Sequence, residues 1–114
     1  MRNQHRDTVV LRKILSETDM AETLLGDAGI EDFLADELLK RAVSMTVINI
    51  GELVKGLSDE FRAEHSEIPW KAIAGMRDIA AHKYLTLRME DVYNTVKIDI
   101  PQLREAIKKI PLTD

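Results

Sequence analysis

Glu37-Leu38-Leu39-Lys40-Arg41-Ala42-Val43-Ser44-Met45-Thr46-Val47-Ile48-Asn49-Ile50-Gly51-Glu52-Leu53-Val54 is the stretch on which the fold turns. Its middle, Ser44 to Ile50, is rich enough in β-branched residues to pass for a strand. Two features decide against that reading. The apolar pattern is too long for one strand, and Glu37 to Ala42 are strong helix formers. The spacing predicts a helix over about Asp32 to Gly56, with Phe33, Leu34, Leu38, Leu39, Ala42, Val43, Met45, Val47, Ile48, Ile50, Leu53 and Val54 as its apolar positions. From Ala42 to Val54 these occupy nearly the whole circumference, which predicts a central helix packed on several sides.

Working outward, an earlier helix is expected from Asp7 or Thr8 to Leu25, on the broad apolar face of Val9, Leu11, Ile14, Leu15, Met20, Leu24 and Leu25. Gly26-Asp27-Ala28-Gly29 ends it, because glycine tolerates the left-handed conformation after a helix. On the other side, Ser58-Asp59-Glu60-Phe61 opens a short helix with a capping residue and early acids. Ile68-Pro69-Trp70 begins another that ends close to His82. A last helical region runs from about Thr86 to Ile110, kinked or split near Ile100 by Pro101 and stopped by Pro111. The expectation is an all-α bundle of four or five helices with short links.

The 114 residues fit a single domain over 1–114. There is no cysteine, which excludes disulfides and thiolate metal sites and fits a reducing, cytoplasmic setting. No apolar run approaches the length needed to span a membrane. The net charge of −4 opposes non-specific nucleic-acid binding. The charge is uneven: residues 1–61 hold 7 basic and 12 acidic side chains, whereas residues 62–88 hold 5 basic and 3 acidic.

That locally basic segment contains Arg77-Asp78-Ile79-Ala80-Ala81-His82-Lys83-Tyr84. Arginine and histidine suit RNA cleavage without a metal. The ribose 2′-hydroxyl must lose a proton to attack the neighbouring phosphate, and histidine titrates nearest neutrality. Arginine keeps its charge, and its planar fork matches phosphate oxygens. Geometry restricts the pair. Five residues of helix turn through about 500°, leaving the two side chains roughly 140° apart. They converge only if the helix ends before His82, or if a second subunit of a two-fold dimer supplies one of them. On spacing alone, an ordinary surface arginine and a histidine capping helix carbonyls are the more common case. Were the helix to continue, Arg77 and Tyr84 would share a face.

The run from Ile68 to Asp78, continuing to His82-Lys83-Tyr84, resembles the HepT-like branch of the HEPN superfamily. The match lies in the Ile68-Pro69-Trp70 opening, the Gly75-Met76-Arg77 step and the Arg-x4-His-x-Tyr signature, with Ile50-Gly51-Glu52 upstream and Asp99-Ile100-Pro101 downstream. It covers about residues 7–110. The resemblance implies a small helical homodimer, a metal-independent endoribonuclease acting as the toxin of a toxin–antitoxin pair and needing no cofactor. It implies His82 as catalytic histidine, Arg77 as its phosphate-binding partner and Asp78 as the polar residue that follows. It also implies a minimal nucleotidyltransferase antitoxin that transfers AMP onto Tyr84, placing phosphates beside Arg77 and His82.

Two other readings stay open: a non-catalytic nucleotide- or RNA-binding module, and a structural partner of the nucleotidyltransferase. Glu52, on one face with Asn49, is expected either to orient Arg77 or to form a plain salt bridge with Arg77 or Lys55. Trp70 is expected as a core or interface anchor, Tyr93 as a packing residue, and His5 and His65 as solvated. His65, Glu64 and Glu67 are not spaced to hold a metal.

Overall fold

A computed structural model describes residues 2–82 and 84–112, which are mostly helical with no strand among them. The elements are α1 (Arg2–Leu25), α2 (Ile30–Ala35), α3 (Glu37–Lys55), α4 (Asp59–Glu64), α5 (Trp70–His82), α6 (Met89–Asn94) and α7 (Ile100–Lys108). A 3₁₀ turn, Tyr84–Thr86, follows α5. A π-helical turn, Thr95–Asp99, joins α6 to α7. The expected all-α bundle is therefore found: α1, α3, α5 and the α6–α7 rod are its main members. Their shared core includes Leu11, Ile14, Val43, Ile50, Val54, Ile100 and Ile107, all essentially without exposure.

α1 begins earlier than expected. Asp7 lies inside it rather than at its start. The Asp7 carboxylate instead reaches across to the α3–α4 link, accepting hydrogen bonds from the Ser58 backbone N–H at 2.9 Å and the Ser58 hydroxyl at 2.7 Å. The same hydroxyl accepts from the Phe61 N–H at 3.1 Å and so caps α4. At its other end α1 stops as expected, on Gly26 with φ 52°.

The central helix is broken where continuity was expected. Asp36 has an extended conformation (φ −105°, ψ 99°), and its side chain accepts from the Leu39 N–H at 3.0 Å, capping α3. The break turns α2 so that Phe33 is fully buried against Tyr93, ring centroids 5.5 Å apart. It also strands Leu38, which the continuous pattern counted as apolar surface for packing, at 81% exposure. Met45 is likewise exposed. The rest of α3 is central: Val43, Ser44, Thr46, Val47, Ile50, Gly51 and Val54 are buried. Thr46 satisfies its hydroxyl by donating to the Val43 carbonyl at 2.6 Å.

Pro101 produces the predicted irregularity in a specific form. Proline lacks an N–H and its ring collides with the carbonyl four residues back, here that of Lys97. The chain widens ahead of it into the π turn, and the Ile100 N–H bonds to the Thr95 carbonyl five residues back. The rod is tied to α1 and its exit by Tyr93, whose hydroxyl donates to the Ala28 carbonyl at 2.9 Å, and by Arg104, which pairs with Asp19 (2.9 Å) and Glu22 of α1.

Phe33 fills the seam between α2, α3 and α6. Phe33→Ala is expected to lower the unfolding free energy by about 3–5 kcal/mol, a large share of what a domain of this size has. Urea denaturation of the two chains measures it.

Candidate functional site

The motif helix is held at its start by Trp70, which is buried and donates its indole N–H to the His65 carbonyl at 3.0 Å. Phe61 lies between His65 (4.5 Å) and Trp70 (6.0 Å). Trp70 is thus a core anchor, as expected. His65 is half-buried rather than solvated, because its ring packs on Phe61. His5 is exposed, as expected.

Further along, α5 crosses α3 where α3 carries Gly51. A Cβ at position 51 would overlap the Arg77 Cβ and come within 3.1 Å of both the Arg77 nitrogen and the Ile73 carbonyl oxygen. Glycine here lets the two backbones close up, and the residue they close upon is Arg77. The next residue of α3, Glu52, places Oε2 2.8 Å from Arg77 Nε. That nitrogen is buried and makes no hydrogen bond, so charge attraction rather than a directed N–H bond sets the pair. Arg77 Nη1 also lies 3.2 Å from Asp78 Oδ1, and the same oxygen accepts from Lys55 Nζ at 2.7 Å. Of the two expectations for Glu52, pairing with Arg77 is what the structure shows. Lys55 turns to Asp78 instead. Asn49 does not follow Glu52; its amide donates to Glu17 on α1.

The hydrogen bond from Lys55, with help from Arg77, holds the Asp78 carboxyl below the ordinary carboxylate range. A lowered value favours the folded state above the ordinary carboxylate pKa, and that contribution fades as pH falls through the lowered one. Asp78 is exposed, so the contribution is small.

His82 is the last residue of α5 and is exposed. Because α5 runs through it, Arg77 and His82 leave the helix roughly 140° apart, and an early helix end does not bring them together. Tyr84 does not share a face with Arg77, since α5 stops at His82 and Tyr84 opens the 3₁₀ turn. Its ring is covered instead by Arg41 of α3, the guanidinium carbon 5.2 Å from the centroid. Lys83 lies outside the described residues. Sequence reasoning missed the roles of Gly51 and Arg41. Gly51 sat in a quoted motif, and a glycine inside an apolar helix is itself a sign of close backbone approach. Arg41 had no such sign.

A depression of about 390 Å³ is lined by Asp7, Phe61, His65 and Leu112, among others, and none of the motif residues borders it. A second, of about 380 Å³, lies between α1 and α3 and includes Lys13, Asn49 and Glu52. Among the described residues, no group of three His, Cys, Asp or Glu side chains is placed to hold a metal ion, and no helix is long and apolar enough to cross a membrane.

An all-α bundle that seats Arg77 of α5 against its central helix α3, with His82 closing α5, fits the expected HEPN-like fold. The family model described as "Ribonuclease HepT-like" matches residues 14–110, and the chain belongs to this ribonuclease family. A protein from Caldanaerobacter subterraneus subsp. tengcongensis, provisionally named as an RNase, is 39% identical over 100 residues, covering 88% of this chain and 89% of that one. A "Probable ribonuclease HepT" from Thermococcus cleftensis is 34% identical over 110 residues, covering 96% of this chain and 98% of that one. No solved structure shows a significant match.

The two glycines flanking the motif give opposite expectations. Gly51→Ala forces α3 and α5 apart and should destabilise the fold by about 1–3 kcal/mol. Nothing lies within 4 Å of a Cβ at Gly75 in α5, so Gly75→Ala should stabilise by roughly 0.5–1 kcal/mol through helix propensity. Thermal melts of both variants against the parent check the contrast.

Proposed function

We propose that this chain is a metal-independent endoribonuclease toxin that works as a homodimer, with Arg77 and His82 of two copies lining one cleft. In the reaction, His82 takes the proton of a ribose 2′-hydroxyl. The 2′-oxygen bonds to the adjacent phosphorus and the bond from phosphorus to the 5′-oxygen breaks. The products are a 2′,3′-cyclic phosphate and a 5′-hydroxyl, the leaving oxygen taking its proton from the second copy's imidazole. Arg77 balances the charge that develops on the phosphate oxygens, and Asp78 steadies Arg77.

The observation that carries this reading is the phase of α5. Arg77 is fixed on one side by Gly51 and Glu52, while His82 projects from another and is exposed. One chain therefore offers half of each pair, and a two-fold partner completes both. Leu38 and Leu85, at 81% and 91% exposure, supply apolar surface for such a partner near Tyr84.

Purified protein should leave cyclic-phosphate ends on RNA with chelator present, and His82→Ala should slow cleavage by about a hundredfold or more. Equal rates for the two chains would remove His82 from the mechanism. RNA binding with no cleavage of any RNA pool would favour a binding module instead.

The proposed neutralisation is AMP transfer by a minimal nucleotidyltransferase antitoxin. The Tyr84 oxygen attacks the α-phosphorus of ATP, the bond to the β-phosphate breaks, pyrophosphate leaves and the phenolic proton is released. The added phosphodiester then repels RNA from the motif. Support comes from Tyr84 sitting two residues beyond His82 in the 3₁₀ turn. After co-production with that partner, intact mass should rise by whole AMP units, and Tyr84→Phe should abolish the increase.

A further inference from the structure

The charges around Arg77 cancel. Glu52 and Asp78 lie 2.8 and 3.2 Å from its guanidinium, and Asp78 also holds Lys55 at 2.7 Å. Two cations and two carboxylates form a formally neutral cluster, on a chain whose net charge is −4. Affinity for a nucleic-acid backbone rests on cations that neutralise phosphates, so this cluster can orient a phosphate better than it can attract one.

Arg41 stands outside that cluster. It lies on α3, and α3 runs antiparallel to the motif: Gly51 abuts Arg77 at one level, and Arg41 covers Tyr84 at another. Glu52 and Arg41 lie eleven positions apart on α3, roughly 16 Å along the helix. The Arg41 side chain is 57% exposed and makes a long ion pair with Glu37 at 3.8 Å, a carboxylate that Lys40 shares at 3.6 Å, so here two cations face one carboxylate. The Tyr84 ring supports the guanidinium at 5.2 Å. A guanidinium stacked on a ring keeps its N–H edge free for a phosphate.

We propose that Arg41 is a second phosphate contact of the RNA site, a few nucleotides along the strand from the phosphate held by Arg77, with the Tyr84 ring as its support. The assignment rests on the ribonuclease reading above. It sets the strand's course along α3.

The test uses the full chain carrying His82→Ala, so that RNA survives, and a labelled single-stranded RNA titrated across a salt series. Adding Arg41→Ala should weaken binding about tenfold and make the slope of log affinity against log salt shallower by about 0.7, one phosphate contact on a single strand. Arg41→Lys should keep the slope. In the cleaving chain, Arg41→Ala should raise KM and leave kcat in place. Unchanged affinity and slope in Arg41→Ala, with both altered in Arg77→Ala, overturn the assignment and leave the ribonuclease reading standing. No RNA binding by the His82→Ala chain, together with no cleavage by wild type, overturns both.

Discussion

Two helices can close to the distance seen between α3 and α5 only where one of them lacks a Cβ at the crossing, and Gly51 is that position. The chemistry of the motif follows from this contact. With the backbones in touch, Arg77 emerges directly beside the following residue of α3, Glu52, and one turn from Lys55, which reaches Asp78. A larger residue at 51 would move the whole cluster at once, because the ion pairs are short and share a helix. Arg77 is thus oriented by backbone packing first and by charge second. That ordering matters at a surface, where an isolated ion pair is worth little and would not hold a guanidinium by itself.

Packing also fixes the far end of α5. Asp7 on α1 accepts two hydrogen bonds from Ser58, Ser58 caps α4, and Phe61 of α4 packs between His65 and Trp70 at the start of α5. The rotation of α5 about its axis is therefore determined before the chain reaches Arg77. Buried Asp7 is best understood this way. A carboxylate taken out of water needs hydrogen-bond donors, and the two it finds lie on the link between α3 and α4. The acid expected at the start of α1 is a clamp between helices.

Much of this was legible in the residues and some was not, for physical reasons. Gly26, Ser58 and the Pro69-Trp70 opening announce helix ends through local backbone chemistry, and the ends fall there. Asp36 carried the same kind of signal, but the apolar spacing runs unbroken from Phe33 and Leu34 to Leu38 and Leu39, and periodicity masked the cap. The consequence is Leu38, apolar by pattern and exposed in fact. Pro101 announced a disruption without saying which kind, since a kink, a split and a π turn all relieve the same clash. Arg41 was illegible because its neighbour, Tyr84, is distant in sequence and lies past the end of α5. Only the antiparallel course of α3 and the motif brings them together.

Helical phase has the last word on how the motif can work. Had α5 ended a turn earlier, the chain could have folded His82 back toward Arg77, and one copy could have offered both side chains to a single phosphate and its neighbouring 2′-hydroxyl. The helix runs through His82 instead. Arg77 is engaged on its inner side by α3, while His82 is exposed, and a side chain cannot cross a helix of ~10 Å diameter to meet the other. The two-fold axis of the proposed homodimer would resolve the conflict, by setting each His82 opposite the Arg77 of the other copy. Such an axis would also double the acid–base groups, which general acid–base cleavage needs on the two sides of one phosphorus. On the proposed reading, the separation that makes a single chain look incomplete is the separation a symmetric cleft would require.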